Sequence, residues 1–201
     1  QGDIAVIGVN ANNGSCAPLL TGEDKISFVC FKPITTNTQI CITDCAYISS
    51  SNTWAENEGL ACMTYTGAAT IAAGTIITFS SSNVTPVATN NPYVGTYPIS
   101  APGTGAMPYA ATPGTWSFST PTPPYVGGSA FNVSMNLNAG GDQIYFMQGG
   151  TWTNPAGANN ATYPAANVLY GFSTTTTPGF VAGAPVGTGQ SNLVPSLECN
   201  V

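Results

Sequence analysis

The chain opens on an apolar run that leaves little choice of secondary structure. Gly2-Asp3-Ile4-Ala5-Val6-Ile7-Gly8-Val9-Asn10 is dominated by β-branched residues, and the turn signal Asn12-Asn13-Gly14 soon follows it. No polar residue alternates through Ile4–Val9, so the run reads as a strand buried on both faces. A strand at a chain terminus can close its own sheet or complete that of a neighbour. Ile4, Val6, Ile7 and Val9 are therefore candidate assembly residues.

The rest of the chain repeats the same texture. Strands are expected at Lys25–Ile34, Thr38–Tyr47, Leu60–Thr66, Ile71–Ser80, Ala130–Leu137, Gln143–Gln148 and Val168–Ser173, with a last one at Asn192–Cys199. Ser49–Glu58 and Thr151–Tyr163 read as loops, and Gly140-Gly141-Asp142 as a tight turn. From about 83 to 130 prolines recur among Thr, Gly, Ala and Tyr. That stretch reads as an extended insertion or a set of edge segments, with a short strand at Trp116-Ser117-Phe118. No segment has a convincing helical period. The expected fold is one all-β domain over 1–201, a β-sandwich of immunoglobulin-like or jelly-roll-like type with about eight to ten strands.

Charge narrows the function. Only 5% of the 201 residues are charged, against about 25% in ordinary domains. The chain has two Lys, no Arg and no His, and a net charge of −6. Nucleic acid is disfavoured as a partner, because phosphates demand cations. Anionic membrane surfaces are disfavoured for the same reason. No apolar stretch of about 20 residues runs free of Gly, Pro or polar residues, so membrane insertion by a helix is not expected. Gln1, able to cyclise, reads as the first residue of a mature secreted chain after signal removal.

Six cysteines, Cys16, Cys30, Cys41, Cys45, Cys62 and Cys199, suggest disulfides and an oxidising compartment. Zinc is a weak competitor, since there is no His and no Cys-x-x-Cys. Six cysteines allow 15 connectivities. A hairpin centred on Thr35-Thr36 would set Cys30 opposite Cys41. Cys45 would then join Cys62, and Cys16 would join Cys199.

Several of these segments, in order, resemble the lamin-tail-like β-sandwich domains of secreted and surface proteins. They are GDIAVIGVNANN (2–13), ISFVCFKPITTNTQICITD (26–44), Trp54 with Glu58-Gly59, TYTG (64–67), AAGTIITF (72–79), GGDQIYFMQGG (140–150) and VLYGF (168–172). The resemblance spans most of the chain except about 83–130. It implies an immunoglobulin-like sandwich in a structural or adhesive extracellular protein, with no catalytic residues. The six cysteines depart from the common bacterial pattern and suggest a more oxidising or eukaryotic setting.

An enzyme is not expected. With no His, Ser-His-Asp and Cys-His chemistry lack their usual base. Asp44, Glu56 and Glu58 could form a glycosidase pair beside Trp54, or bind Ca²⁺ through carboxylate oxygens. The plainer reading is that Glu56 and Glu58 are solvated loop charges, that Asp44 caps a turn, and that Asp142 is a turn residue. No cofactor is expected.

Asn-x-Ser/Thr sequons stand at Asn13, Asn83, Asn132 and Asn160, and Thr/Pro tracts resemble O-glycosylated segments. So much Asn, Ser and Thr yields sequons by chance, so their number alone proves nothing. Covalent glycans would replace the missing surface charge, and so would burial of the surface between copies of the chain. The leading expectation is a non-catalytic, glycosylated subunit of an extracellular filament or surface layer. It would assemble head-to-tail by strand addition between copies. The alternative is a secreted carbohydrate-binding or adhesion module that uses exposed Trp54, Trp116 and Trp152.

Overall fold

The computed structural model describes residues 3–10, 23–55, 60–82, 93–94, 116–119, 137, 141–153, 160–175, 179–185 and 190–197. Within them lie eleven strands: β1 (Ile4–Asn10), β2 (Glu23–Cys30), β3 (Gln39–Thr43), β4 (Tyr47–Ile48), β5 (Thr53–Trp54), β6 (Leu60–Tyr65), β7 (Ile76–Ser82), β8 (Tyr93–Val94), β9 (Trp116–Ser119), β10 (Gln143–Met147) and β11 (Val168–Ser173). Two single 3-10 turns, Ala165–Asn167 and Pro195–Leu197, are the helical elements among the described residues.

The strands form two antiparallel sheets and a small hairpin. The four-stranded sheet runs β1-β2-β7-β8, the five-stranded sheet runs β11-β10-β3-β6-β9, and β4 pairs with β5. The fold is an all-β sandwich. Alternation explains the layering, because successive side chains on a strand point to opposite faces. Ile4, Ile26, Phe28 and Ile77 from the smaller sheet meet Ile40, Ile42, Met63, Ile144 and Phe146 from the larger one. Phe28 and Phe146 touch edge-to-face across the gap, with centroids 5.0 Å apart. Each such buried side chain stabilises the fold by about 1.5–3 kcal/mol.

The larger sheet is covered on its other face as well. Cys41, Leu60, Cys62, Tyr145 and Met147 point outward from it into a second core. Tyr47, Trp54, Trp152, Ala161, Tyr163 and Val194 complete that core. This explains why β10 is buried at every position. Gln143 and Tyr145 face the second core, whereas Ile144 and Phe146 face the inter-sheet core.

Several expectations change. β1 is not buried on both faces: it is the edge of its sheet, paired on one side with β2. A bulge between Val6 and Gly8 resets the alternation. Ile4, Val6 and Val9 consequently pack inward, while Ile7 is 51% exposed. The expected strands at 25–34 and 71–80 shorten to β2 and β7. Ile34 and Ile71 survive as an isolated bridge. The loop at 49–58 contains the hairpin β4–β5, turned through Asn52 at φ 55°. Of the last expected strand, 192–199, the described residues 192–197 form no strand: they follow a bridge at Ser191 and end in the Pro195–Leu197 turn, since Pro195 cannot donate to a ladder. Of Ala130–Leu137 only Leu137 is described, and it is buried. Of the Pro-rich stretch 83–130, β8 and β9 are described. Each is the edge strand of one sheet.

Candidate functional site

Sequence and structure converge on the free edge of β1. Phe31 N donates to Asp3 O at 2.8 Å, which makes Asp3 and Phe31 a hydrogen-bonded pair. Pairs alternate along an antiparallel ladder, so Ile4 and Val6 belong to the non-bonded class opposite Cys30 and Phe28. Their N–H and C=O groups therefore point away from β2, along the outer edge. No other described strand pairs there. Val6 and Ile4 anchor the strand to the core from below, and Ile7 stands out from the bulge. Phe31, 56% exposed, follows directly after β2.

Asp3 and Lys32 form an ion pair of 2.9 Å at the start of this edge. The hydrogen bond from Lys32 holds the Asp3 carboxyl below its ordinary value of 3.8, against a smaller opposing effect of desolvation. Lys32 is thus an exposed ion-pair partner that favours the charged form of the acid beside it. Beyond that pair the edge of β1 carries no charged side chain. Sheet edges in soluble proteins are ordinarily guarded by charge or proline, and here one ion pair is confined to the end of the strand.

The cysteines follow a different pairing from the expected one. Cys41 is bonded to Cys62, directly opposite it in the β3–β6 register. This overturns Cys30–Cys41 and Cys45–Cys62. The turn at Thr35–Thr38 does not fold β2 back onto β3: it carries the chain from one sheet to the other. Cys30 therefore lies in the inter-sheet core, while Cys41 faces the second core. Burial pushes the Cys30 thiol up to about 12. Cys45 is fully buried in the second core. Cys16 and Cys199 lie outside the described residues.

The tryptophans are not a platform for sugars. Trp54, Trp116 and Trp152 are all buried. Trp54 packs on Tyr47, Tyr145 and Trp152 with centroids 5.0–5.4 Å apart, and Trp116 packs on Tyr65 at 5.1 Å. Their rings are spent on packing, so the stacking faces that a carbohydrate would need are covered.

Of the candidate acids, Asp44 and Asp142 are among the described residues. Asp44 is buried at the end of β3, and Glu56 and Glu58 lie outside the described residues. Asp142 is a buried turn residue, as expected. Its N–H donates to Thr174 Oγ1 at 2.7 Å and its Oδ1 accepts from Gln143 N at 2.9 Å. Gly141 before it has φ +103°, and a Cβ there would fall 2.4 Å from Thr175 Cα, so the turn requires glycine. Among the described residues no three His, Cys, Asp or Glu side chains are grouped to hold a metal. Of the sequons, Asn13, Asn83 and Asn132 lie outside the described residues. Asn160 is half-buried, and Ala161 O after it accepts from Trp54 N at 2.8 Å.

Sequence reasoning missed a buried polar network in the second core. Asn192 N donates to Tyr47 O at 2.9 Å, and its Oδ1 accepts from Ser49 N at 2.8 Å. Its Nδ2 donates to Val181 O and Gly183 O at 2.6 and 2.7 Å. Tyr145 Oη donates to Asn192 O at 2.7 Å, while Ser191 Oγ accepts from Tyr47 N at 2.7 Å. Burial holds the Tyr145 hydroxyl neutral far above its usual range. A Ser-Asn pair inside a Gly/Pro-rich tract carries no local signal of such a role, because its partners Tyr47 and Ser49 are more than a hundred residues away.

Comparison of the chain with protein-family models, with curated proteins and with solved structures finds no match. Among the described residues no helix is long and apolar enough to cross a membrane. The Cys41–Cys62 disulfide is compatible with an oxidising compartment.

Proposed function

We propose that the protein is a non-catalytic structural subunit of an extracellular, glycosylated filament or surface layer, and that copies join by strand addition at the outer edge of β1. The observation that carries this reading is the outward backbone row of Ile4 and Val6, to which no described strand pairs, on an edge strand almost free of charge. Main-chain hydrogen bonds supply affinity in such a contact, and the neighbouring side chains supply register. Exposed Ile7 and Phe31 beside the edge favour the same use. An edge on one copy that meets a different surface on the next gives an open, head-to-tail polymer. The scarcity of charge and the Cys41–Cys62 disulfide fit this role.

Addition to β1 is favoured over donation of β1. Ile4 is 4% exposed and packs in the inter-sheet core, so withdrawing the strand would open that core. The test is Val6→Pro. Proline deletes the outward N–H of Val6 while leaving the bonds to β2, and it keeps an apolar side chain. Electron microscopy of concentrated protein should show filaments for the parent chain and none for V6P, with V6P still folded by circular dichroism. Monodisperse monomers of the parent chain at high concentration would sink the proposal.

A further inference from the structure

We infer that Lys32 is the cation by which the β1 edge recognises a second copy of this chain, through a carboxylate that the second copy brings. The inference rests on the proposed strand addition and names what selects the partner there. The chain carries eight acids against two lysines and no arginine, a net charge of −6. Two such copies repel each other, and like charges set together in a contact weaken it further. A cation placed where the copies meet offsets that repulsion locally. Lys25 and Lys32 are the side chains that could supply it. Lys25 pairs with Asn10 at the far end of β1, beyond the bulge. Lys32 follows Phe31, whose N–H bonds to Asp3 O where the edge begins.

The geometry leaves Lys32 open to a further acid. Its Nζ donates to Asp3 Oδ2 at 2.9 Å, yet its side chain is 72% exposed. An ammonium has three donors, and Asp3 accounts for one of them. Phe31, 56% exposed, stands beside it in the chain. An apolar anchor and a positive charge therefore adjoin at the end of the outward row of Ile4 and Val6.

Charge also selects the occupant. A polyanion such as nucleic acid or an anionic lipid surface needs many cations, and this chain is acidic overall. One lysine matches one carboxylate, and a second copy is a partner rich in acids and otherwise sparing in charge. Asp3 is then the intramolecular competitor. It holds Lys32 at the edge and yields part of it to the incoming acid. This assigns opposite roles to the two members of the ion pair, and the two should respond oppositely to substitution. An exposed pair contributes little to folding, so neither change should unfold the chain.

The test is the critical concentration for filament formation, read by sedimentation of the full chain, with circular dichroism as the check on folding. Lys32→Gln should raise it about tenfold, and Asp3→Asn should lower it about threefold. Ser50→Glu is the control for net charge. It takes the chain from −6 to −7, as Lys32→Gln does, but at the exposed β4–β5 turn, and it should shift the value by less than about twofold. The gap between the parent and Lys32→Gln should close between about 0.1 M and about 1 M salt, as the screening length falls from about 10 Å to about 3 Å. Losses of the same sign in D3N and K32Q would make the pair a structural tie and overturn the inference. So would a shift in S50E as large as that in K32Q, or a gap that salt leaves unchanged. Filaments of the parent that K32Q does not weaken overturn the role of Lys32 and leave strand addition standing. A parent chain that stays monomeric overturns both.

Discussion

β1 and β10 are both short apolar runs with little polar alternation, yet they occupy opposite kinds of place. β10 has neighbours on both edges and cores on both faces, so all five of its residues are buried. Among the described strands β1 has one paired neighbour, and one of its faces is buried. A bulge aims Ile7 at solvent, and no described strand pairs with the outer row of its backbone. An uninterrupted apolar run therefore fixes that a strand will form and seek burial. It does not fix how much of that burial comes from the strand's own chain. In β10 the chain supplies all of it. In β1 the part not met by the described residues is what the proposed assembly would use.

Substitutions should separate these two kinds of strand, with the largest effects on β10. Phe146→Ala removes a fully buried ring from the inter-sheet core together with its contact to Phe28. It should cost about 3–5 kcal/mol in denaturant unfolding. A cost under about 1 kcal/mol would mean that the two sheets do not share that core. The disulfide on the other face of the same sheet comes next. Cys41 and Cys62 are 21 residues apart, and reduction should cost about 3 kcal/mol on the chain-entropy view. Thermal melts with and without reductant would read it. An unchanged midpoint would show that the bond is not formed or not needed.

Alkali probes the inter-sheet core beneath both strands. The Cys30 thiol is raised from 9.0 to about 12 by burial and, to a smaller extent, by Asp3. A raised folded value means that the unfolded chain loses its proton first. The stability from keeping Cys30 neutral is complete below pH 9.0 and falls as pH rises toward about 12. The slope is at most about 1.4 kcal/mol per pH unit. Tyr163, also raised to about 12, adds to the same limb from the second core. C30S should flatten the decline between pH 9 and 12 without abolishing it, and an identical profile would contradict the burial of the thiol. The smallest effect on folding belongs to the edge. Ile7→Lys should change stability by less than about 0.5 kcal/mol, because Ile7 is exposed. It should nonetheless suppress filament formation by placing charge on the edge. Filaments of normal length from I7K would separate the edge from assembly.

The all-β class, several of the main strands and the short strand at Trp116-Ser117-Phe118 were legible in the residues. Val168–Ser173 forms a strand with the boundaries that its pattern suggests, and the core of 143–148 does so within one residue. Those readings depend on local alternation and turn chemistry, which neighbouring residues carry. The cysteine partners were not legible. A Thr-Thr turn looks the same whether it joins two strands of one sheet or passes between sheets, and only the second course carries Cys30 away from Cys41. The exposure of Trp54, Trp116 and Trp152 was misread for a related reason. A lone Trp in a polar loop reads as exposed until a second layer closes over it.

By itself the sequence determined that this chain builds short strands, forms disulfides and carries almost no charge, because composition and periodicity are properties of neighbouring residues. The tertiary structure decided which strand is enclosed and which is left at an edge. That depends on the order of strands in a sheet, set by contacts between residues far apart in the chain. Gln143–Met147 lies between β11 and β3 and beneath the segment anchored by Asn192, whereas Ile4–Asn10 pairs, among the described strands, with β2 alone.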